Sequence, residues 1–464
     1  MTSKIGTQSA LMKSRVLLIS SESIGPRLAG PAIRSLELGG VLGRTGHQPI
    51  VAAPEVHHDT PAAGFPIVRF EKERAARVIG PLLREVDVVL IHALALFEFP
   101  FIRRTKRPMV VDLYDPVLFE SLELDAWRPS ARREFAARTQ VAIFRSLLRR
   151  GDFFLCASER QRDLWLGALV MAGRVNAVTV QEDAALRGLI EVVPFGIPAV
   201  PPRWPAVTPP ALKGVGSIRQ SDKVILWGGG IWDWLDPLTL IRAFARVAAR
   251  REDVHLAFLG TTPPNESTPT MRMVSETRSL AASLGLAGSR IHFREGWVPY
   301  AERGPLLLEA DLGVTTHTQH LESRFAFRTR VLDYVWAGLP VVCTRGDVIA
   351  ELVEREGLGI PVPERDEVAL AAALERMLSD ETFVAACRER LREIAPRFFW
   401  DEVAKPLVRF CESPRIAPDR GRQGVRALRH RGSAIASRAM ELLHEGGPRA
   451  LALQAWRRLW LCWR

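Results

Sequence analysis

The stretch KVILWGGGIWDWLDPLTLIRAF (residues 223–244) decides the fold. It begins with an almost continuous apolar run, which is typical of a strand buried on both faces of a parallel sheet. Three glycines follow, and Asp236-Pro237 then opens an amphipathic segment that predicts a helix. Glycines directly after a strand let backbone N–H groups approach an anion, so we predict that Gly229 and Gly230 bind phosphate.

The same order of elements occurs near the start of the chain. RVLLIS (residues 15–20) predicts a strand, a loop containing Gly30 follows, and Pro31 begins a segment with a leucine face. This loop alone is compatible with a phosphate cradle or with a plain strand-to-helix turn. Two such loops favour the cradle, because a diphosphate held in a cleft needs donors from both sides.

Short apolar runs alternate with longer amphipathic segments on both sides of a proline-rich stretch. This rhythm predicts an α/β protein with two Rossmann-like domains that face each other across a cleft, where ligands bind at the carboxyl ends of the strands. A basic, amphipathic helical tail follows them. The expected divisions are a first domain at 1–197, a proline-rich linker at 198–213, a second domain at 214–395, a segment that returns toward the first domain at 396–419, and the tail at 420–464.

Composition limits the classes of protein that fit. The five cysteines among 464 residues are scattered and form no CxxC pair, which argues against a disulfide framework or a zinc site. The first residues lack a signal-peptide core, and no run reaches the roughly 18–20 apolar residues of a membrane-spanning helix. We therefore expect a cytoplasmic protein whose membrane contact is peripheral.

The net charge of +11 is concentrated in the tail. Residues 420–464 hold ten arginines and only two acids, Glu441 and Glu445, so the rest of the chain is close to neutral. The positive charge is therefore no argument for nucleic-acid binding by the two domains, and we expect no nucleic-acid partner.

Three segments carry a resemblance to a known family: AGPAIRSLELGGVLGRTGH (29–47), GWVPYAERGPLLLEADLGV (296–314) and FRTRVLDYVWAGLPVVCTRGD (327–347). The chain resembles the GT-B glycosyltransferases, specifically the broad glycosyltransferase family 4 group, over nearly all of residues 15–412. The resemblance implies a retaining hexosyl- or deoxyhexosyltransferase that needs no metal or cofactor. It also implies a nucleotide-diphosphate sugar held mainly by the second domain, and a glycan or lipid-linked acceptor held mainly by the first, in bacterial surface polysaccharide or cell-envelope synthesis.

The resemblance also implies roles for individual residues of the donor site. Residues 296–298 would line the nucleobase, Gly260 and Thr261 would border the same pocket, and Asp333 would accept the ribose hydroxyls. The expected donor-site residues are Gly30, Gly229, Gly230, Gly260, Thr261, Gly296, Trp297, Val298, Arg328, Thr329, Arg330 and Asp333.

The sequence departs from the family pattern where charge matters most. Family members commonly place an Arg and a Lys after the first strand of the second domain, but residues 230–236 contain no cation. The first of two expected glutamates is replaced by Phe325, although Glu322, three residues away, is a candidate substitute. We expect Arg328, Arg330 or both to neutralise the diphosphate, because guanidinium binds phosphate oxygens bidentately. The alternative is that they pair with acids on a solvated helix face.

The catalytic candidates are Asp112, Asp115 and Glu322. Asp112 and Asp115 end a strand at the cleft, where either could orient or deprotonate the acceptor hydroxyl. Asp115 is equally compatible with starting a turn at Pro116. No metal site is predicted, because no cluster of acids or cysteines completes four ligands around the histidines.

Residues 449–464, RALALQAWRRLWLCWR, place leucines and tryptophans on one face at helical spacing, with arginines elsewhere. This pattern predicts an interfacial helix on an anionic membrane, here the inner face of the plasma membrane. The alternative is a helix docked on the protein itself or on a second subunit.

Two other classes of protein compete with this interpretation. A nicotinamide-dependent enzyme is disfavoured, because neither glycine loop reads GxGxxG with an acid after the next strand. A catalytically inactive, glycosyltransferase-like binding or scaffold subunit stays open, since the usual cations and the first glutamate are missing.

Overall fold

A computed structural model describes residues 13–57, 63–93, 95–124, 130–204, 211–263 and 271–420. It contains two parallel α/β sheets, each covered by helices, so the predicted fold class of two Rossmann-like domains is confirmed. The predicted membrane-binding helix at 449–464 lies outside the described residues. Within the described part, no helix combines the length and apolar character needed to cross a membrane.

The first sheet has seven strands in the order β3-β2-β1-β4-β5-β6-β7, all parallel. Its strands are β1 (Arg15–Ile19), β2 (Gln48–Ala53), β3 (Ile67–Arg69), β4 (Val88–His92), β5 (Met109–Asp112), β6 (Phe153–Cys156) and β7 (Ile190–Val192).

The second sheet has six parallel strands in the order β10-β9-β8-β11-β12-β13. Its strands are β8 (Lys223–Gly230), β9 (Val254–Gly260), β10 (Ile291–Phe293), β11 (Leu312–Thr315), β12 (Val341–Thr344) and β13 (Gly359–Val362).

Helices cover both faces of each sheet. Those of the first domain are α1 (Gly30–Arg44), α2 (Ala75–Glu85), α3 (Ala95–Glu98), α4 (Val117–Leu124), α5 (Ser130–Arg150), α6 (Glu159–Met171) and α7 (Ala177–Glu182). Those that follow are α8 (Pro237–Ala248), α9 (Arg272–Ser283), α10 (Arg303–Glu309), α11 (Leu321–Phe325), α12 (Thr329–Ala337), α13 (Val348–Glu356), α14 (Glu367–Ser379), α15 (Glu381–Ile394), α16 (Trp400–Val403) and α17 (Lys405–Glu412).

Local sequence explains how the stretch that decides the fold adopts its structure. The run at 223–227 forms the start of β8, and Val224, Ile225, Leu226 and Trp227 are fully buried. Asp236 caps α8, because its carboxylate accepts the Thr239 N–H at 3.1 Å, and Pro237 occupies the first helical turn. The predicted strand and helix are therefore present, but the three glycines form the end of β8, where its pairing with β9 is irregular between Trp227 and Gly230, and not a loop after the strand.

Both glycine loops lie where the strand order of their sheet reverses. β1 lies between β2 and β4, and β8 lies between β9 and β11, so the loop with Gly30 follows, and residues 228–230 end, the strand at the switch point of the sheet. Crevices at such points are the usual ligand sites of open α/β sheets. The fold thus places the two loops as parts of one candidate site.

The segment after α15 packs on the first domain. Phe410 stacks on Phe153 with ring centroids 4.8 Å apart, and the Trp400 ring contacts Phe195 at 4.9 Å. Arg174 and Asp419 form a buried ion pair at 2.9 Å. These contacts join the end of the described chain to the first sheet, while the exact domain boundaries stay predictions.

Candidate functional site

A cavity of about 230 Å³ lies between the two domains, at the carboxyl ends of their strands. Its first-domain wall is the loop at 28–30 with the start of α1, and its second-domain wall is the loop at 228–230 with α12. Nine of the twelve predicted donor-site residues line it: Gly30, Gly229, Gly230, Gly260, Trp297, Val298, Thr329, Arg330 and Asp333.

The glycines of the second domain are required by the backbone geometry. Gly229 has a φ of 87°, in the left-handed region that side chains other than glycine rarely occupy. A Cβ on Gly260 would lie 2.9 Å from the carbonyl carbon of Gly229, so no side chain fits there. The buried Tyr334 hydroxyl accepts the Gly228 N–H at 2.8 Å and fixes the position of the glycine segment. These constraints hold the backbone of Gly228, Gly229 and Gly230 in the wall of the cavity.

Arg330 brings a positive charge to these glycines. Its Nη2 donates to the Gly230 carbonyl at 2.8 Å, and its guanidinium lies 4.7 Å from the centroid of the Trp227 ring. Its Nη1 is buried and has no hydrogen-bond partner among the described residues. Burial lowers the pKa of Arg330 to about 10, because the charged form lacks solvation. An anion in the cavity would supply the missing partner.

Arg328 is not part of this cavity. Its Nη1 and Nη2 donate to the two carboxylate oxygens of Glu322 at 2.7 and 2.8 Å, and its Nε lies 3.4 Å from Asp347. The Glu322 side chain is 1% exposed. Arg328 and Glu322 satisfy each other in a buried pair, which does not favour diphosphate binding by Arg328 or a catalytic role for Glu322, and both roles stay predictions.

Asp333 lines the cavity and is held by a residue that the sequence did not single out. Arg303, at the start of α10, donates its Nε–H to Asp333 Oδ1 at 2.9 Å. The Asp333 side chain is 35% exposed, and its Oδ2 has no hydrogen-bond partner among the described residues. The geometry leaves one carboxylate oxygen available to a ligand, and the role of Asp333 at the ribose stays a prediction.

Two predicted donor residues support the pocket from outside it. Thr261 is 5% exposed, its hydroxyl donates to the Arg294 carbonyl at 3.0 Å, and its N–H donates to the Gly296 carbonyl at 3.3 Å. Thr261 and Gly296 thus tie the loop after β9 to the loop after β10. The next residue, Trp297, does reach the cavity and donates its indole N–H to the Leu28 carbonyl of the first domain at 3.2 Å.

Asp112 lies in a buried ion pair. Both of its oxygens accept from Arg34, at 2.5 and 3.1 Å, and its side chain is 5% exposed. The same guanidinium donates to the carbonyls of Val193 and Pro194. This geometry favours a structural role for Asp112, and its action on the acceptor stays a prediction.

Asp115 lies beside two groups from neighbouring strands. Its Oδ2 is 3.4 Å from His92 Nε2, and its side chain is 22% exposed. Glu22 interacts electrostatically with both of them. Because β1, β4 and β5 are adjacent in the sheet, the residues at their carboxyl ends meet at one edge. The structure thus keeps Asp115 as the acceptor-side candidate and adds His92 and Glu22 to it.

The acid–base properties of this group are perturbed. Burial raises the pKa of Glu22 to about 7, against the opposing effect of His92. Burial alone would lower the pKa of His92, but the Asp115 carboxylate 3.4 Å away raises it, as do the charges of Asp112 and Glu22. Glu22 therefore changes its charge near pH 7, beside an imidazole whose pKa is raised.

Glu120 is a further acid that the sequence did not single out. Burial raises its pKa, as do the charges of Asp115 and Glu322. The preceding residue, Phe119, stacks on Phe325 of the second domain with ring centroids 5.4 Å apart. Phe325, which replaces the expected glutamate, therefore joins the two domains. Position after a strand could have indicated Glu22, but nothing in the local sequence indicated Glu120 or Arg303.

Comparison with known proteins agrees with this geometry. Residues 222–380 match the family model described as Glycosyl transferases group 1. This range contains both the glycines at the end of β8 and the segment of α12 that carries Arg330 and Asp333. No curated protein matches the chain in sequence.

Solved structures resemble the whole two-domain arrangement. HepE from Anabaena, in complex with UDP-glucose, has a TM-score of 0.61 at 17% identity, covering 86% of this chain and 100% of that one. WaaG, a glycosyltransferase involved in lipopolysaccharide biosynthesis, has a TM-score of 0.56 at 18% identity, with 86% and 100% covered. Trehalose-6-phosphate synthase OtsA has a TM-score of 0.62 at 14% identity, with 87% and 100% covered. At these identities the likeness shows the fold.

Proposed function

We propose that this chain, whose residues 222–380 match the family model described as Glycosyl transferases group 1, transfers a sugar from a nucleotide-diphosphate sugar to a glycan or lipid-linked acceptor. We propose retention of anomeric configuration, a hexosyl or deoxyhexosyl donor, and a reaction that needs no metal ion. The membership of family 4 is part of the same proposal.

The observation that carries this proposal is the unsatisfied guanidinium of Arg330 at the glycine loops. A departing nucleoside diphosphate gains negative charge, which has to be neutralised for the bond to the sugar to break. Arg330, whose buried Nη1 lacks a partner among the described residues, lines the same cavity as Gly229 and Gly230. Arg330 would thus neutralise the diphosphate in place of the cations that residues 230–236 lack.

On the acceptor side, we propose that Asp115 orients or deprotonates the attacking hydroxyl. Asp115 is partly exposed at the cleft and lies beside His92, whereas Asp112 is buried in an ion pair with Arg34. Glu22 contributes a second group with a pKa of about 7, so the local charge changes within the physiological range. The attacking hydroxyl would therefore meet these groups on the side of the cleft opposite to Arg330.

The printed descriptions of the structural relatives suggest which donors to try first. HepE was solved with UDP-glucose, and a trehalose-6-phosphate enzyme from E. coli was solved with UDP-2-fluoro glucose. UDP-sugars are therefore the first donors to test. The description of WaaG, which names lipopolysaccharide biosynthesis, supports a bacterial surface polysaccharide or another cell-envelope glycan as the product.

We also propose peripheral contact with an anionic membrane through residues 449–464, at the inner face of the plasma membrane. The last described residue, Arg420, donates to the carbonyls of Thr105 and Arg107. It borders a surface hollow that is also lined by Arg103, Arg104, Lys106, Arg145 and Arg149. The tail therefore continues from a basic surface, which is consistent with a negatively charged partner.

A panel of UDP-, GDP- and dTDP-sugars tests the function. The proposal expects binding, slow hydrolysis of one donor, and faster turnover with a glycan or lipid-linked acceptor. Binding without turnover on any acceptor would favour an inactive scaffold subunit. No binding of any nucleotide-sugar would contradict the proposal.

A further inference from the structure

Three arginine–carboxylate pairs lie near the cleft, and one of them differs from the others. Arg34–Asp112 and Arg328–Glu322 use both carboxylate oxygens, and the acids are 5% and 1% exposed. Arg303 engages only Oδ1 of Asp333, which is 35% exposed and lines the cavity. In the first two pairs both carboxylate oxygens accept from the arginine. In the third pair, Asp333 Oδ2 does not, and it is available as an acceptor to a ligand in the cavity.

Arg303 is held firmly in place. Its guanidinium lies 3.6 Å from the centroid of the Tyr300 ring and 4.4 Å from that of Trp336, so it is sandwiched between two aromatic faces. Its Nη1 donates to the Tyr300 carbonyl. The Arg303 side chain is only 12% exposed. A guanidinium fixed on three sides can fix the rotamer of the carboxylate that it binds.

Tyr300 itself is anchored on the opposite domain. Its hydroxyl donates to Glu37 of α1 at 3.2 Å, and its N–H donates to the Pro26 carbonyl at 3.3 Å. Burial raises the pKa of Tyr300, so the hydroxyl stays a donor at ordinary pH. The position of Arg303 therefore depends on contacts with both domains.

We propose that Arg303 is a positioning residue for the ribose of the donor nucleotide. It holds Asp333 so that Oδ2 accepts from the ribose diol. Asp333 is one methylene shorter than the glutamate usual at this position in the family, so its reach depends on a fixed orientation. This inference rests on the proposed function, and it adds a residue to which neither the family resemblance nor the comparisons assign a role.

The test separates the ribose from the rest of the nucleotide. Kd values for UDP, 2′-deoxy-UDP and 3′-deoxy-UDP are measured by calorimetry on the full chain, with the GDP series in parallel. The wild type is expected to bind the ribonucleotide about tenfold more tightly than a deoxy form, the size of one hydrogen bond to a charged group. Arg303→Met is expected to reduce this ratio to about twofold and to leave the Kd of the deoxy forms almost unchanged.

Three variants complete the design. Asp333→Asn is expected to lose the same preference, and Arg303→Met combined with Asp333→Asn to lose no more, because the two residues act through one contact. Arg303→Lys keeps the charge without the planar fork and is expected to restore the preference only in part. Arg294→Met is the matched control, an exposed arginine in the same segment, and is expected to behave as wild type.

The outcomes distinguish this inference from the proposed function. An equal loss of affinity for UDP and for its deoxy forms in Arg303→Met would overturn the inference, because Arg303 would then act on the diphosphate or on the fold. A wild type that binds UDP and GDP without any ribose preference would overturn it too. If the wild type bound no nucleoside diphosphate at all, the proposed function itself would fail.

Discussion

Arg328 donates to both carboxylate oxygens of Glu322, at 2.7 and 2.8 Å, in a pair that is almost completely buried. Arg330, two residues later, forms no ion pair with any described residue; it lines the cavity, and its buried Nη1 has no partner among the described residues. Two arginines that looked equivalent in the sequence therefore have different tasks. Arg328 stabilises the loop between β11 and α12, and Arg330 is available to a ligand.

Replacing Arg328 is expected to damage the fold. Arg328→Ala leaves Glu322 buried without a partner, which costs about 3–5 kcal/mol of unfolding free energy. Urea denaturation measures this loss, with Arg324→Ala as the control, because Arg324 is exposed in the same segment. A stability loss below about 1 kcal/mol would show that the pair does not hold the loop.

The two aspartates after β5 are expected to respond in opposite ways. Asp115→Asn should lower kcat by about 10²-fold or more if it acts on the acceptor hydroxyl, and should leave the unfolding free energy nearly unchanged. Asp112→Asn should lower stability, because Arg34 loses its charged partner, and should retain most of kcat at temperatures where it is folded. Steady-state kinetics and urea denaturation of both variants provide the measurement. The reverse result would return the catalytic role to Asp112.

Glu22 is expected to make stability fall as pH rises. Its folded pKa of about 7 lies above the ordinary value of 4.5, so between these values the folded state binds more protons than the unfolded state. Its contribution is therefore most favourable below pH 4.5 and is lost as pH rises through 7. Glu22→Gln should remove this part of the slope and be more stable than wild type at pH 8 by about 2 kcal/mol. Urea denaturation at pH 5 and pH 8 checks this, and identical slopes in the two proteins would contradict it.

The membrane contact is expected to depend on the tail. The full chain should sediment with vesicles that contain anionic lipid, and a chain ending at Arg420 should bind them at least tenfold more weakly. The shorter chain keeps the contacts of Arg420 with Asp152 and Thr105, so the first domain is not disturbed. Neutral vesicles serve as the control. Equal partitioning of the two chains would contradict membrane binding by the tail.

Sequence patterns sufficed for the fold because strands, glycine loops and helix starts are local. The run at 223–227, Gly229 and Pro237 each reflect a constraint that acts within a few residues. The partners of charged groups are set by tertiary contacts. Arg34 meets Asp112 from 78 positions away, and Arg303 meets Asp333 from 30, so neither pair could be read from spacing. This is why the sequence did not reveal the ion pairs of Asp112, Glu322 and Arg328, and why Arg303 was missed.

The most direct test of the central claim compares nucleoside diphosphates with nucleosides on Arg330→Ala and on wild type. Calorimetry with UDP, GDP and dTDP identifies the diphosphate that wild type binds most tightly. For that ligand the Kd of Arg330→Ala should be about 10- to 100-fold higher than the Kd of wild type, because a charge-assisted hydrogen bond is lost. Affinity for the matching nucleoside and the unfolding free energy should be nearly unchanged, and Arg324→Ala should match wild type. An unchanged diphosphate Kd in Arg330→Ala would contradict the claim that this cavity holds the donor diphosphate against Arg330.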